Sequence, residues 1–315
     1  MNTASAIDIN RPGDWHAQSS RFDPPHEVDL EDPAAVGKAI RSILDRLYGR
    51  GYDTALLGEA MQDAIDAYRG DFPGLLRCDT LYHDLRHALE TGLTTARLLD
   101  GYAKSAAAGS LEPIDGDHAL LAVLLALFHD IGLLRRSTEP HLWGPVLIPI
   151  HEERGVEFMQ RYLSRTALAA LADKSQLIMS TKLVFNMPAT WSAADRRLAA
   201  IVATADLLSQ FSDRCYLEKC RDFLFVEFSA VGIAGSAASP YPDRETLLAK
   251  TPEFFSGVCR QRLDDEYQGV SRLLELHTGN GNPWEEAIQR HLGFLDVVLR
   301  DHELSRLRRH PRPFI

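Results

Sequence analysis

An uninterrupted apolar run that ends in two polar residues constrains the fold of this chain more than any other feature. The run A-L-L-A-V-L-L-A-L-F occupies Ala119 to Phe128 and leads directly into His129-Asp130. A membrane span needs ~20 apolar residues, so this shorter run predicts a buried core helix instead. A carboxylate beside such a run is costly to bury unless it is paired or bound to metal. The pair therefore predicts that the negative charge of Asp130 is balanced by a charged partner or a metal ion beside the core.

Apolar residues recur at helical spacings of three and four along most of the chain, and strand-like alternation is scarce. This periodicity predicts an all-α fold. One predicted helix starts near Tyr82 and carries leucines as far as Leu99, followed by a connection over 101–116. Another is capped by Asp117 and runs from Leu120 to about Leu134. Further helices are predicted over 33–50, 54–68, 151–163, 166–180, 193–211, 217–228, 252–277 and 283–300.

The 315 residues suffice for one large helical domain with an added helical piece. We predict a polar, partly disordered leader over 1–32, which contains three prolines. The main helical domain is expected over 33–230. The segment 232–242 is rich in Gly, Ala, Ser and Pro and predicts a flexible loop. The C-terminal helices of 231–315 are expected to pack on the same domain.

The formal net charge of −10 disfavours nonspecific binding to nucleic acid or to anionic membranes. The first residues show no basic-then-apolar signal pattern, so we expect a cytoplasmic protein. The expected partner is a small molecule rather than nucleic acid or a membrane, and a homodimer is a further possibility. The cysteines form no C-x-x-C pair and are expected to be reduced core thiols; they are Cys78, Cys215, Cys220 and Cys259.

Four further polar residues stand in patterned surroundings. The motif Y-H-D-L-R-H-A-L places His83 and His87 four residues apart, so both rings can share a helix face. The motif H-E-E-R-G begins with His151 at the start of a predicted helix. The segment I-V-A-T-A-D-L-L places Asp206 on a helix packed in the core. Purely structural explanations also exist. His83 and His87 could be surface neighbours, and His151 could only start a helix. Asp206 could form a salt bridge to an Arg or Lys, such as Arg196 or Arg197.

The pair His129-Asp130 has two explanations as well. Adjacent residues on a helix point ~100° apart, so an ideal helix does not aim both at one ion. A divalent ion at the helix end, or two ions bridged by the carboxylate, would reconcile them. A histidine beside a capping aspartate would need no ion. Across all the motifs the donors are imidazole and carboxylate, which suit Mg, Mn, Zn, Fe, Co or Ni and not a thiolate-bound structural zinc.

In this order the motifs resemble the HD superfamily of metal-dependent phosphohydrolases. Y-H-D-L-R-H-A is similar to the Y-H-N-x-x-H-A motif of class I cyclic-nucleotide phosphodiesterases. L-A-L-F-H-D-I-G resembles the HD-domain core, and T-A-D-L-L-S-Q resembles the helix that supplies the last ligand. The resemblance covers residues 80–228. It implies an HD-domain helical bundle with additional N- and C-terminal helices, and an HD-type catalytic domain over 33–230.

The resemblance also implies roles for individual residues. A first divalent ion would be held by His87, His129, Asp130 and Asp206. Asp130 would bridge to a second ion, for which His151 is either a ligand or only a helix start. His83 would protonate the leaving oxygen during attack by a metal-activated hydroxide. The stretch after Asp130 lacks the His and Asn of the class I enzymes, and the G-Y-P motif of cyclic-di-GMP hydrolases is absent.

The implied function is hydrolysis of a phosphoester or phosphodiester, in a nucleotide or cyclic nucleotide. His83 and Asp130 would be the catalytic residues, and one or two divalent ions the cofactors. Two alternatives stay open on the same scaffold. One is a catalytically degenerate HD module that binds metal and senses a ligand. The other is an HD-type di-iron oxygenase.

Overall fold

The computed structural model describes residues 21–109 and 111–315. Within them 65% of the chain is helical and no β-strand forms, so the all-α prediction is confirmed for this part. Short 3₁₀ and π segments interrupt or connect the helices. The α-helices are α1 Pro33–Tyr48, α2 Thr54–Arg69, α3 Leu85–Ala107, α4 Gly116–Leu127, α5 His151–Leu163, α6 Ala193–Ser212, α7 Tyr216–Lys219, α8 Phe225–Ala230, α9 Arg244–Glu253, α10 Leu273–Thr278 and α11 Pro283–Arg300.

The apolar run forms the central helix of the fold. Helix α4 is fully buried from 119 to 127 and packs against α1, α2, α3 and α6. By length and composition alone, the stretch Gly116–Leu133 could cross a membrane, but 89% of it is buried inside the fold, as expected of a core helix. Asp115, and not the predicted Asp117, caps α4 by accepting a hydrogen bond from the His118 N–H.

Helix α4 ends seven residues earlier than the predicted end near Leu134. A turn occupies 128–130, and a 3₁₀ segment follows at Ile131–Leu133. The chain beyond the turn packs closely on α5, because a Cβ on Gly132 would lie 1.9 Å from the carbonyl oxygen of His151. His129 and Asp130 therefore lie in a turn, where the ~100° divergence of adjacent helical side chains does not apply.

Helix α3 begins three residues later and ends eight residues later than predicted. Its N-cap is Asp84, whose side chain accepts a hydrogen bond from the His87 N–H, so His83 precedes the helix. The prediction that His83 and His87 share a helix face is therefore wrong. Gly101 does not end α3, because it serves close packing: its Cβ would lie 1.9 Å from the Leu273 carbonyl oxygen of α10.

Several other predicted boundaries also change. The segment predicted as a helix over 166–180 is a 3₁₀ segment, Ala169–Thr181. The helix predicted over 252–277 is divided by π segments at Phe254–Cys259 and Arg262–Glu266, and by a turn with positive φ at Gln268 and Gly269. Helices α5 and α11 have the predicted bounds.

The segment that precedes α1 is more ordered than the predicted leader. Residues 1–20 lie outside the described part, but 21–32 pack on the fold. Leu30 is fully buried, and Asp23 forms an ion pair with the buried Arg97 of α3. At the other end of the chain, α10 packs on α3 and α11 packs on α6. All four cysteines are buried and free, in agreement with the prediction.

Candidate metal centre

Three neighbouring elements and the start of a fourth bring the predicted ligands together. His87 lies in the first turn of α3, and Asp206 lies in the second half of α6. His129 and Asp130 lie in the turn after α4. His151 is the first residue of α5, which packs on the 3₁₀ segment that follows this turn. Helices α3, α4 and α6 pack on one another, so their polar residues meet inside the core.

The tightest group consists of His87, His129 and Asp130, whose possible ligand atoms all lie within 4.8 Å of one another. The Nε2 atoms of the two histidines are 3.2 Å apart. Asp130 Oδ2 lies 3.1 Å from His129 Nε2 and 3.5 Å from His87 Nε2. Asp206 is outside this group of three, but its Oδ1 lies 3.1 Å from His87 Nε2 and 3.5 Å from His129 Nε2.

These separations match those of neighbouring ligands around one ion. Donor atoms ~2.1 Å from a shared metal are separated by about 3.0 Å at a right angle and about 3.4 Å at a tetrahedral angle. All four side chains are buried. Asp130 Oδ2 is inaccessible to solvent and forms no hydrogen bond within the described part of the chain. Its close neighbours are the two imidazole Nε2 atoms, and a divalent cation held by the neutral imidazoles would complete its contacts.

Backbone carbonyl groups hold two imidazoles in the tautomer that a metal needs. His129 Nδ1 lies 2.7 Å from the Ala126 oxygen, and His151 Nδ1 lies 2.6 Å from the Ile148 oxygen. Because a carbonyl only accepts hydrogen bonds, each Nδ1 carries the proton, and each Nε2 keeps its lone pair when the ring is neutral. Metal-ligating histidines are usually oriented in this way.

Asp130 keeps its negative charge although it is buried. Burial would raise its pKa, but His129 and His83 hold the pKa of Asp130 well below its usual range. Burial likewise opposes the charged form of His129, and the adjacent Asp130 carboxylate raises the pKa of His129 well above its usual value. The same charges would bind a divalent cation if the imidazoles lost their protons to it.

The second oxygen of Asp130 faces a different histidine. Asp130 Oδ1 lies 3.4 Å from His151 Nε2, whereas Oδ2 faces His87 and His129. Glu152 is buried on the same side, and its Oε2 lies 3.2 Å from His151 Nδ1 without forming a hydrogen bond. The Asp130 carboxylate therefore lies between the His87 and His129 nitrogens on one side and the His151 nitrogen on the other. A ligand that bridges two ions requires this arrangement.

Asp206 is not paired with an arginine. Arg197 donates to the Tyr102 hydroxyl, and Arg196 donates to backbone carbonyls at Ala189 and Trp191. The protein partners of the Asp206 carboxylate are the two imidazoles and Gln210, whose Nε2 donates to Oδ1 over 2.6 Å. Within the described chain Asp206 therefore forms no salt bridge to Arg196 or Arg197, and its Oδ1 faces the two histidines.

His83 belongs to a dyad that the sequence motifs do not reveal. Its Nδ1 lies 2.6 Å from Oε2 of Glu227, which is fully buried on α8. The other oxygen of Glu227 accepts hydrogen bonds from the Leu81 and Tyr82 N–H groups, both over 2.6 Å. The His83 ring centroid lies 6.2 Å from that of His87 and 6.3 Å from that of His151. The signal in the sequence was one glutamate inside F-V-E-F, a segment that otherwise predicts only core packing.

Arginine and lysine side chains near the candidate centre form ion pairs with carboxylates of the protein. Arg135 Nε lies 3.1 Å from Asp79 Oδ2, and Arg136 forms an ion pair with Glu157. Lys182 Nζ donates to Glu153 over 2.5 Å and lies 3.8 Å from Glu152. These side chains are therefore held by carboxylates near the candidate centre, and we assign none of them to a substrate.

Comparison with known proteins adds no family assignment. No protein-family model matches the chain, and no curated protein and no solved structure matches it either. The geometry alone supports the coarser statement that a buried His87–His129–Asp130 group could hold a metal ion.

Proposed function

We propose that this chain is a divalent-metal-dependent phosphohydrolase of the HD type. The observation that carries the proposal is the joint placement of a buried four-residue ligand cluster and a histidine–glutamate dyad. The cluster would bind the ion, and the dyad would supply a proton beside it. Neither feature alone selects hydrolysis, but phosphoester hydrolysis uses both, because the phosphate charge must be neutralised and the leaving oxygen protonated.

The residues divide into two tasks. His87, His129, Asp130 and Asp206 would hold a first ion, and Asp130 with His151 would hold a second. Divalent ions there would lower the pKa of a bound water and neutralise phosphate charge. The buried carboxylates set the charge of the centre, and the surrounding core excludes bulk water, which strengthens these interactions.

His83 is suited to donate a proton. Burial alone would lower its pKa, but the Glu227 carboxylate, with help from Asp130, raises the pKa of His83 to about 9. The ring is therefore mostly protonated at neutral pH. Glu227 contacts Nδ1, which leaves the Nε2 proton free for a leaving oxygen. We propose a phosphoester or phosphodiester of a nucleotide or cyclic nucleotide as the substrate.

The direct test is a phosphoester screen on the purified full chain. The panel contains mononucleotides, cyclic nucleotides and a nitrophenyl phosphodiester, each with Mg, Mn, Co, Ni, Zn or Fe. The proposal expects turnover of at least one substrate that a chelator abolishes and added metal restores. A folded, metal-loaded protein without turnover on any substrate would favour a metal-binding sensor module. Bound iron with substrate-dependent oxygen consumption would favour the di-iron oxygenase.

The dyad makes a prediction for Glu227→Gln. The amide keeps the volume and an acceptor for the Leu81 and Tyr82 N–H groups, but it removes the charge that stabilises protonated His83. Because a group with a raised pKa loses its proton as pH rises through that value, the loss of the Glu227 charge should move the basic limb of the rate profile to lower pH. At pH 8 we expect a rate loss of roughly tenfold to a hundredfold.

Two further measurements make this prediction specific. Metal content should be unchanged in Glu227→Gln, because Glu227 is not in the ligand cluster. The control is Glu245→Gln, an exposed glutamate in the first turn of α9, which should leave the profile unchanged. If Glu227→Gln kept the wild-type pH profile, His83 would not be the proton donor.

The position of His151 predicts a change in metal stoichiometry. Replacing it by alanine removes the only imidazole near Asp130 Oδ1 in the described chain, while the His87–His129 group stays intact. We expect His151→Ala to retain about one ion where the wild type binds about two, as measured by elemental analysis. His118→Ala, at the surface end of α4, is the control. Unchanged stoichiometry would show that His151 only starts α5.

A further inference from the structure

One cavity of the protein is lined mainly by arginines and by none of the residues of the candidate metal centre. It has a volume of about 960 Å³ and lies between the start of α3, the loop before α7 and the C-terminal tail. Two carboxylates, Glu31 and Glu218, line it. Its arginines are Arg21, Arg86, Arg306, Arg308, Arg309 and Arg312. In a chain with a formal net charge of −10, this cluster of arginines is a local feature. Arg21 and Arg306 already form ion pairs with nearby carboxylates, which leaves the other four arginines as the candidate ligand-binding groups.

The deepest of these arginines lacks a full set of partners. Arg86 is buried, with 6% of its surface exposed, and its Nε forms no hydrogen bond within the described residues. Its closest recorded carboxylate contact is Asp213 Oδ1, 3.7 Å away. The other oxygen of Asp213 is already 2.6 Å from Lys219 Nζ. Asp213, Glu90 and Asp84 provide the negative charge around Arg86. The Arg86 Nε donor nevertheless has no hydrogen-bond partner in the described chain.

The tail adds positive charge around the same cavity. Arg308 and Arg312 are exposed and form no ion pair with any residue in the described ranges. Arg309 lies 3.5 Å from Glu218, but its buried Nε also lacks a hydrogen-bond partner there. Like charges placed around one cavity repel each other, and a bound anion would reverse that penalty. Guanidinium groups bind phosphate oxygens in pairs, which makes phosphate the anion that this geometry favours.

We propose that this cavity binds a small organic or inorganic polyanion with two or more phosphate groups. Its volume lies in the range of about 300–1,000 Å³ that is typical of ligand pockets and exceeds what one phosphate fills. Arg86 and Arg309 provide the buried donors, and Arg308 and Arg312 provide the exposed ones. The site is separate from the candidate metal centre, and the inference does not depend on hydrolase activity.

The tail connects this cavity to the helix that carries His87. Beyond the arginines, the Phe314 N–H donates to Asp84 Oδ2 over 2.8 Å, and the Leu85 N–H donates to the Phe314 oxygen over 3.1 Å. Asp84 is also the residue that caps α3 at the His87 N–H. A ligand that holds the tail in place would therefore stabilise the first turn of α3. This position is suited to a regulatory ligand rather than to a substrate.

Titration calorimetry with pyrophosphate and inorganic phosphate on the full chain tests the proposal. The protein is measured as purified and again after chelation and dialysis, which separates this cavity from the metal centre. The variant is Arg308→Ala/Arg312→Ala, and both side chains are exposed, so the fold should persist. The control is Arg272→Ala/Arg300→Ala, which removes the same charge from exposed positions outside the cavity.

We expect one pyrophosphate site per chain that persists without metal and binds inorganic phosphate more weakly. Its affinity should fall by about tenfold or more in the cavity variant and stay close to wild type in the control. Three results would overturn the proposal: no binding by the wild type, binding that disappears with the metal, or equal affinities in the two double variants. None of them bears on whether the metal centre is catalytic.

Discussion

Asp130→Ala should lose bound metal and phosphohydrolase activity together. Asp130 faces all three histidines of the site, with Oδ2 towards His87 and His129 and Oδ1 towards His151. Metal ions contribute several kcal/mol of transition-state stabilisation in metal-dependent hydrolases. Because each 1.4 kcal/mol is a factor of ten in rate, we expect a loss of about a thousandfold or more. Elemental analysis and the rate with the best substrate measure the two effects.

The control separates loss of the site from loss of a charge. Asp117→Ala makes the same chemical change at an exposed position in the first turn of α4, and it should retain metal and activity. Circular dichroism should show the same helical content in both variants. If Asp130→Ala kept its metal and its rate, the carboxylate would not be a ligand, and the account of the site would be wrong.

Gly132→Ala should destabilise the protein and displace His151. A Cβ at this position would lie 1.9 Å from the His151 carbonyl oxygen and 2.9 Å from the Cβ of Arg154. Both atoms belong to α5 and cannot move without moving the helix. Overpacking typically costs about 1–3 kcal/mol, and a clash with backbone belongs at the upper end of that range. We expect a loss of about 3 kcal/mol in the free energy of unfolding, measured by urea denaturation.

The same substitution on α2 provides the comparison. Gly58 is exposed in the middle of a helix, and a Cβ there would meet no atom within 4 Å. Gly58→Ala should therefore stabilise the protein by about 0.5–1 kcal/mol, because alanine loses less backbone entropy in a helix. If Gly132→Ala were as stable as Gly58→Ala, the close contact between the Asp130 turn and α5 would not exist.

The helical class and the ends of isolated helices followed from local signals. Helix α11 begins at Pro283, after the N-cap Asn282, and helix α5 begins at His151, both as the sequence predicted. The uninterrupted apolar run also predicted that α4 is buried in the core. In these elements the local preferences of the chain agree with its tertiary contacts, so the sequence alone was enough to predict them.

The helix ends at the site depend on contacts that are distant in sequence. Helix α3 starts at Leu85 because Asp84 caps it, and Asp84 is itself held by the Phe314 N–H. After the His129-Asp130 turn, Gly132 packs closely against α5. The Asp84 cap is a local signal, but its contact with Phe314 and the packing of Gly132 are not.

Glu227 was missed for the same reason. It lies 144 residues from His83, in a segment whose other residues predict only core packing. The resemblance of the motifs to the HD superfamily proposed the set of ligands, but only the fold could show which oxygen or nitrogen atom faces which.

Anomalous diffraction from crystals of the protein grown with Mn²⁺ tests the central claim most directly. We predict an anomalous peak about 2.0–2.2 Å from His87 Nε2, His129 Nε2 and oxygens of Asp130 and Asp206. A second peak between Asp130 Oδ1 and His151 Nε2 would identify the bridged pair. Well-ordered density for the four side chains without an anomalous peak among them would contradict the account and leave the cluster as a buried ion-pair network.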